Sequence, residues 1–454
     1  MGELKDLIKV IPDCTRMSTK QDDLLHHGKD KSSYHPVLTP DIVVFPITTE
    51  EVKGVVVFAS EKGIPVTPFG LGTSVEGQVI PILGGISMDL SLMNKILEIR
   101  PNDFFVKVQP GVTRNQLNQA LKPYNLFFPV DPALDATLGG MVATNASGTT
   151  AVRYGAMKDQ ILGLEVVLAS GEVIRTGGAF LKSSAGYNLT GLFTGSEGTL
   201  GVITEIILKV YALPEFTATL TAGFESLEAA SRAVAGMMQN GLAIGCVEIV
   251  DERTINAINQ YKKMDLPEIP QLFIELVGKE YTVMNDLDVV KKELELQGCV
   301  HIEYASDKEQ RERLWMARHE AAMAIMAINP GKRLMATDVC VPLSVLPSAI
   351  QRTREIMNEY GVAGAIMGHV GDGNFHAVFG VDPMNKDDLR KLQSINGAIV
   401  DYALSHEGTC SGEHGIGIGK IPFMHKQHED LIAIFKSIKK MFDPNNIMNP
   451  GKII

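Results

Sequence analysis

Glycine is spread unevenly along this chain, and that unevenness limits what the chain can become. Its 43 glycines concentrate before residue 202 and again between 361 and 419 of the 454 residues. Glycine tolerates positive-φ turns and lets the backbone approach a ligand closely, so both regions read as dense in loops that can meet a small molecule. Longer, charged helical patterns lie between them, notably 307–328 and 385–406. The first region mixes strands and helices. Asp41–Phe45 reads as a strand; Thr48–Lys62 reads as a helix opened by a Thr48…Glu51 capping box and stopped by Gly63, and Ile64–Thr67 as the next strand. Leu164–Ala169 and Glu172–Arg175 flank Ser170-Gly171 as a hairpin. Gly201–Val210 is a strong strand and Pro214 marks a boundary; a final helix is expected near 426–441. The class is α+β. Boundaries are expected after 214 and 415, giving units 1–214 and 215–415 and a closing segment 416–454.

Charge and cysteine content narrow the function classes. Hydrophobic residues make up 45% and charged residues 21%, the balance of a globular chain. A net charge of −11 argues against nucleic acid as the main partner and against a polybasic membrane patch, since both need a basic surface, and leaves room for locally basic pockets. Cys14, Cys246, Cys299, Cys340 and Cys410 are far apart and form no C-x-x-C pair, which fits a reducing compartment and excludes an iron–sulfur cluster of the usual spacing. Met1–Asp6 show neither an apolar h-region nor a myristoylation signal, and no run is apolar enough to span a membrane. The expected location is cytoplasmic, with peripheral membrane association only through a partner.

Two segments look built for an anion. Pro68-Phe69-Gly70-Leu71-Gly72-Thr73-Ser74 follows an expected strand, and its glycines let backbone N–H groups converge while Thr73 and Ser74 add hydroxyls. Val75 breaks the G-x-G-x-x-G pattern, and Gly415–Lys420 lacks P-loop spacing, so both standard nucleotide motifs fail. The second segment runs through Asp131-Pro132, Thr137, Gly140, Thr144, Asn145, Ser147 and Gly148. Ordinary glycine-rich turns remain the alternative for either segment alone.

A third group concerns imidazoles. His369 and His376 stand seven residues apart around Gly371-Asp372-Gly373-Asn374. An odd offset on a straight strand would send them to opposite faces, but the turn can fold the chain back. Glu413 and His414 follow in another glycine-flanked turn. Two His and one Glu make a three-ligand set with open positions, as catalytic metal sites have; structural loop histidines are the alternative.

The stretches "PFGLGTSVEG", "DPALDATLGGMVATNASG", "RYG", "AGYNLTGLFTGSEGTLGVITE" and "FDPNNIMNPGK" occur in this order. Together they resemble the vanillyl-alcohol oxidase superfamily, in its glycolate oxidase and D-lactate dehydrogenase branch. The resemblance implies a PCMH-type FAD-binding domain of two α+β subdomains, plus a cap domain with an antiparallel sheet flanked by helices. It implies FAD held by Gly70–Ser74, Thr137, Gly140, Thr144, Asn145, Ser147, Gly198, Ile203 and Asn449. It also implies Zn²⁺ or Mn²⁺ on His369, His376 and Glu413, with His414 as base. Asp372 is excluded as a ligand and read as fixing the turn. Gly72 stands where covalently flavinylated relatives often carry His, so noncovalent FAD is expected.

Arg318, in an expected helix, resembles the family's partner of the substrate carboxylate, a role suited to its planar fork. The implied reaction oxidises a D-2-hydroxy acid to the 2-oxo acid, with hydride passing to flavin. D-lactate is the expected substrate, because Ala336 stands where relatives acting on hydroxyglutarate carry a Lys; Lys332 and Arg333 are nearby cations that soften this. A glycolate oxidase flavin subunit and a D-2-hydroxyglutarate dehydrogenase are alternatives. So, from other classes, are a flavin-free metallohydrolase and a noncatalytic electron-transfer or scaffold subunit. The electron acceptor is left open among a quinone, a cytochrome, an electron-transfer flavoprotein and partner subunits.

Overall fold

The computed structural model describes residues 7–31 and 34–454. Met1–Asp6, where a targeting signal would stand, lie outside the described residues. The chain forms two units. The first comprises the chain up to Gly148, Gly155–Leu213 and Glu413–Ile454; the second comprises Thr149–Tyr154 and Pro214–Gly412. The division thus falls after Gly412, not after Gly415. The helix Ala151–Tyr154 belongs to the second unit because it packs on that unit's sheet, and four residues are too few to show a pattern in sequence.

The first unit holds two sheets. In one, β1 (Met17–Ser18), β2 (Ile42–Val44), β3 (Val66–Phe69) and β4 (Ile86–Asp89) take the order β1-β2-β4-β3, with β2, β4 and β3 parallel. The helix Thr49–Lys62 starts where Thr48 accepts the Glu51 N–H and ends at Gly63. Its Val52, Val55, Val56 and Ala59 pack against Val44, Val66, Ile86 and Met88. The other sheet has β5 (Ile96–Arg100), β6 (Phe105–Val108), β8 (Ile161–Val167), β9 (Val173–Gly177) and β10 (Val202–Lys209) in the order β5-β6-β10-β8-β9. Leu117, Leu138, Met141 and Val142 from two short helices pack with Val106, Val108 and Ile206. A ribbon joins β7 (Leu126–Phe127) to β11 (Tyr211–Ala212).

The expected helix near 426–441 is two helices, Ile421–Gln427 and Ile432–Phe442, separated by a 3-10 turn. The tail then runs beside β3: Ile447 O accepts the Val66 N–H, and Asn449 N–H donates to Val66 O.

The second unit is one antiparallel sheet. Its strands are β12 (Phe216–Phe224), β13 (Ile244–Val250), β14 (Gln271–Gly278), β15 (Cys299–Ala305), β16 (Arg333–Ala336), β18 (Ala365–Gly368) and β19 (Asn374–Val381), ordered β15-β12-β14-β13-β18-β19-β16. A short β17 (Val339–Cys340) pairs with β19. The helices Lys308–Ala327 and Lys386–Ser405 are capped by Asp307 and Asn385. No helix among the described residues is long and apolar enough to cross a membrane.

Candidate functional site

A cavity in the first unit gathers most of the residues read as anion-handling. Gly70, Leu71, Gly72, Thr73 and Ser74 form one wall. Pro132, Thr137, Gly140, Thr144 and Ser147 form another, and Gly198, Ile203 and Asn449 also line it. Asp131, Asn145 and Gly148 are not among the lining residues. Asn145 instead ends the helix Leu138–Thr144 in the left-handed region (φ 50°), and its Oδ1 accepts the Lys158 N–H at 2.9 Å. Asp131 and Gly148 pack against each other.

The glycines of the first wall are there for space and for φ. A Cβ on Gly70 would lie 2.3 Å from Thr137 Oγ1, the atom that caps the helix Leu138–Thr144. Gly72 has φ +61°, a conformation other residues rarely adopt. Among the described residues, no Lys or Arg lines the cavity. An anion in this cavity is therefore met by backbone N–H groups and hydroxyls, and the small side chains of both walls allow that approach. The lining suits the phosphates of a dinucleotide, and Leu71, Val75, Leu90 and Met141 supply apolar surface for a flat ring.

Sequence reasoning misses the charged part of this cavity. Glu197 lines it, is buried, and sits at φ 51°. Its carboxylate accepts the Ile416 and Gly417 N–H groups at 2.7 and 2.8 Å. Burial pushes its pKa up to about 7, against the pull of those hydrogen bonds. Asn449, also left-handed (φ 39°), donates Nδ2 to both Gln78 O and Glu197 O. Backbone strain of this kind collects at ligand sites. Lys452 is buried nearby and donates to Ile80 O and Asn449 Oδ1; burial lowers its pKa to about 8. Glu197 lies within the quoted "GSEGTLG" stretch, but a carboxylate beside an anion site runs against the chemistry that the rest of the stretch leads one to expect.

Glu413 and His414 line the same cavity. Gln78 Nε2 donates to the His414 carbonyl at 2.7 Å, and His414 Nδ1 lies 3.9 Å from Glu76 Oε1. Glu76 is buried; Tyr34 OH donates to its Oε2 at 2.7 Å, and the buried Lys420 Nζ lies 3.7 Å from Oε1. Burial and then Glu76 hold the Tyr34 phenol far above its ordinary range, so it stays a donor. Glu76 lies within the quoted "PFGLGTSVEG" stretch, but a single carboxylate beside an expected anion loop does not announce this position.

The second unit gathers a different group, and strand register explains how. Ile249 pairs with Gly368 across β13 and β18, so Glu248 comes level with His369 just past the strand end. Met367 pairs with His376 across β18 and β19. Cys246 and Val250 of β13, Ala365 and Met367 of β18, and Val378 of β19 pack with Trp315, Ala317 and Ala321 of the helix Lys308–Ala327. Side chains alternate between faces, so Glu248, His369 and His376 belong to this helix-covered face, and Arg318 comes from the helix. Glu248 Oε1 accepts from His369 Nδ1 at 2.7 Å, and Oε2 accepts from Arg318 Nε and Nη2 at 2.8 Å each. The turn Val370–Asp372 reverses the chain, with Asp372 Oδ1 accepting the Asn374 N–H. The His369 and His376 rings then meet edge to face, 5.7 Å between centroids.

His376 Nδ1 donates to Thr337 O at 2.9 Å. A carbonyl only accepts, and the Glu248 carboxylate does too, so each ring carries a proton on Nδ1 and, in its neutral form, has its lone pair on Nε2. This is the tautomer a metal requires of each, and the donor set fits Zn²⁺ or Mn²⁺. Buried Asp338, 3.8 Å from His376 Nδ1, accepts from Asn374 Nδ2 and Ser411 Oγ. Ala336 ends β16 partly buried, while Lys332 and Arg333 are exposed.

Comparison with known proteins places this geometry in a family. Residues 213–453 match the C-terminal domain of FAD linked oxidases, and residues 40–177 match an FAD binding domain. The chain belongs to the FAD-linked oxidase family. It is 42% identical to a probable mitochondrial D-lactate dehydrogenase of Danio rerio, over 94% of this chain and 87% of the relative. It is 39% identical to a D-lactate dehydrogenase [cytochrome] of Arabidopsis thaliana, over 96% and 78%. It is 36% identical to a glycolate oxidase subunit of Bacillus subtilis, over 91% and 89%. Among solved structures, 4-ethylphenol oxidase from Gulosibacter chungangensis aligns with TM-score 0.80 at 17% identity, covering 100% of this chain and 97% of that one. p-Cresol methylhydroxylase aligns equally well at 19% identity. These show the PCMH-type fold. The FAD-linked family makes the chain a flavin-dependent oxidoreductase and sets aside the flavin-free hydrolase reading.

Proposed function

We propose that this enzyme oxidises D-lactate to pyruvate, with FAD noncovalently seated in the first unit's cavity and a divalent cation on His369 and His376. The observation that carries the reading is the pairing of a small-residue cavity with a separate His–Glu–Arg cluster, in a chain similar to D-lactate dehydrogenases over nearly its whole length. FAD, when bound, supplies the hydride acceptor. The backbone of 70–74 and the hydroxyls of Thr73, Ser74, Thr137 and Thr144 would hold it. Arg318 would orient the substrate carboxylate through the end of its fork turned away from Glu248. His414, whose Nδ1 lies 3.9 Å from Glu76 Oε1, would take the hydroxyl proton. The roles of Glu413 as a third metal ligand and of His414 as base rest on the sequence resemblance. The cation would lower the pKa of the substrate hydroxyl.

Ala336 supports the monocarboxylate. A five-carbon diacid would need a cation for its distal carboxylate, and leaving that charge buried and unpaired costs several kcal/mol. Glycolate lacks one methyl group and forgoes about 1 kcal/mol of apolar contact. The expected order of kcat/KM with a dye acceptor is D-lactate above glycolate, and D-lactate well above both D-2-hydroxyglutarate and L-lactate. A preference for the diacid would overturn the reading of Ala336. The electron acceptor, proposed as a quinone, cytochrome, electron-transfer flavoprotein or partner subunit, is a separate question for the reduced enzyme.

A further inference from the structure

We propose that Glu248 is the positioning residue of the second unit's cluster: one buried carboxylate sets both the tautomer of His369 and the direction of Arg318. This rests on the reading above, in which His369 ligates a cation and Arg318 meets the substrate.

Glu248 sits in β13, every residue of which is buried. Its own side chain has no solvent exposure. A carboxylate in that setting persists only if donors satisfy it, and here both oxygens are used. Oε1 takes His369 Nδ1–H; Oε2 takes the Nε–Nη2 edge of Arg318.

Two consequences follow. Neutral His369 is held with its proton on Nδ1, which leaves its lone pair on Nε2. Arg318 is locked edge-on, so the Nη1–Nη2 end of its fork is the part directed to a second carboxylate. Among the described residues no other acidic partner of Arg318 is found. The Arg318–Glu248 pair is also neutral as a unit, which moderates the pull of the guanidinium on a second anion.

The arrangement makes an unusual prediction for the amide. Glu248→Gln has one acceptor for two sets of donors. Arg318 cannot give up its protons, so the amide oxygen turns to Arg318 and the NH₂ faces His369. His369 must then accept at Nδ1, moving its proton to Nε2 and withdrawing the ligating lone pair. Removing Arg318 as well, in Glu248→Gln/Arg318→Met, releases the amide oxygen to His369 and restores the tautomer.

The test is a Zn²⁺ titration against a competing chelator, on the metal-stripped, FAD-loaded full chain, with flavin absorbance as the folding control. Glu248→Gln should weaken Zn²⁺ about 10–100-fold, the usual scale for a partner of a ligating His. The double variant should recover most of that loss, whereas a merely structural Glu248 would make the double variant worse. Wild-type affinity in Glu248→Gln, with His369→Ala losing Zn²⁺, overturns the role of Glu248 alone. Wild-type affinity in His369→Ala overturns the metal reading, and this inference with it. If Glu248→Gln does not fold, the double variant decides: flavin retained with Zn²⁺ lost refutes the proposal.

Discussion

The two units build their sites from different materials. The first unit's cavity is largely a backbone construction: Gly70, Gly72, Gly140 and Gly198 make room, and hydroxyls finish it. The second unit's cluster is a side-chain construction, in which Glu248, His369, His376 and Arg318 come from a strand, a turn, a second strand and a helix. Backbone sites tolerate little change, because a Cβ where none fits displaces structure. Side-chain sites depend on charge balance and on which nitrogen holds a proton.

The first way to break this contrast is steric. Gly70→Val would drive a branched side chain into Thr137 Oγ1, where even a Cβ would lie at 2.3 Å. Overpacking of this kind costs about 1–3 kcal/mol, and here it also dislodges the cap of the helix Leu138–Thr144. We expect the purified variant to lose most of its flavin, measured as absorbance per protein, while its second unit still binds Zn²⁺. Full flavin occupancy would show that the 70–74 wall is not the cofactor contact.

The second way is chemical. His414→Asn leaves the walls of the cavity intact, so flavin should remain. Flavin reduction by D-lactate in anaerobic stopped flow should slow by at least ~10²-fold, the scale for losing a general base. A near-normal rate would assign the proton to another group, and Glu76, 3.9 Å from His414 Nδ1, would be the next to test.

The same contrast explains what is legible in the sequence. Most of the cavity lining can be read because glycine and small hydroxyl residues in an ordered series have few other reasons to recur. A helix-ending Asn and a ligand-binding Asn look alike in a Gly-rich segment, and the left-handed φ of Asn145 is visible only in three dimensions. His369 and His376 stand out as a pair around a glycine turn. Glu248 does not. It lies in "IGCVEIV", a strand buried at every position, and its meaning depends on a register between β13 and β18 set more than a hundred residues apart. The short return 149–154 is invisible for a related reason: one helical turn carries no period. The broken C-terminal helix reads as continuous because neither Gly nor Pro interrupts 426–441.

The smallest expected effect concerns the charged floor of the cavity, where the backbone site borrows a side-chain device. Glu197 titrates near 7 in the folded protein against an ordinary 4.5. Between those values the folded state holds a proton that the unfolded chain has released, so stability falls as pH rises through the window and is lowest above it. Lys452 acts in the opposite sense. Its folded pKa near 8 lies below the ordinary 10.5, so its penalty is present below 8 and is relieved as pH rises toward 10.5. Each pH unit between a folded and an unfolded pKa is worth about 1.4 kcal/mol. The Glu197 contribution is therefore a few kcal/mol at most. Glu197→Gln removes the titration but satisfies only one of the Ile416 and Gly417 N–H groups. The variant should therefore be less stable than wild type at pH 5, and the gap in urea midpoint should narrow as pH rises to about 7. Taking the difference cancels the other titrating groups. Parallel curves would mean that Glu197 is already ionised at pH 5, held there by the two backbone donors it accepts.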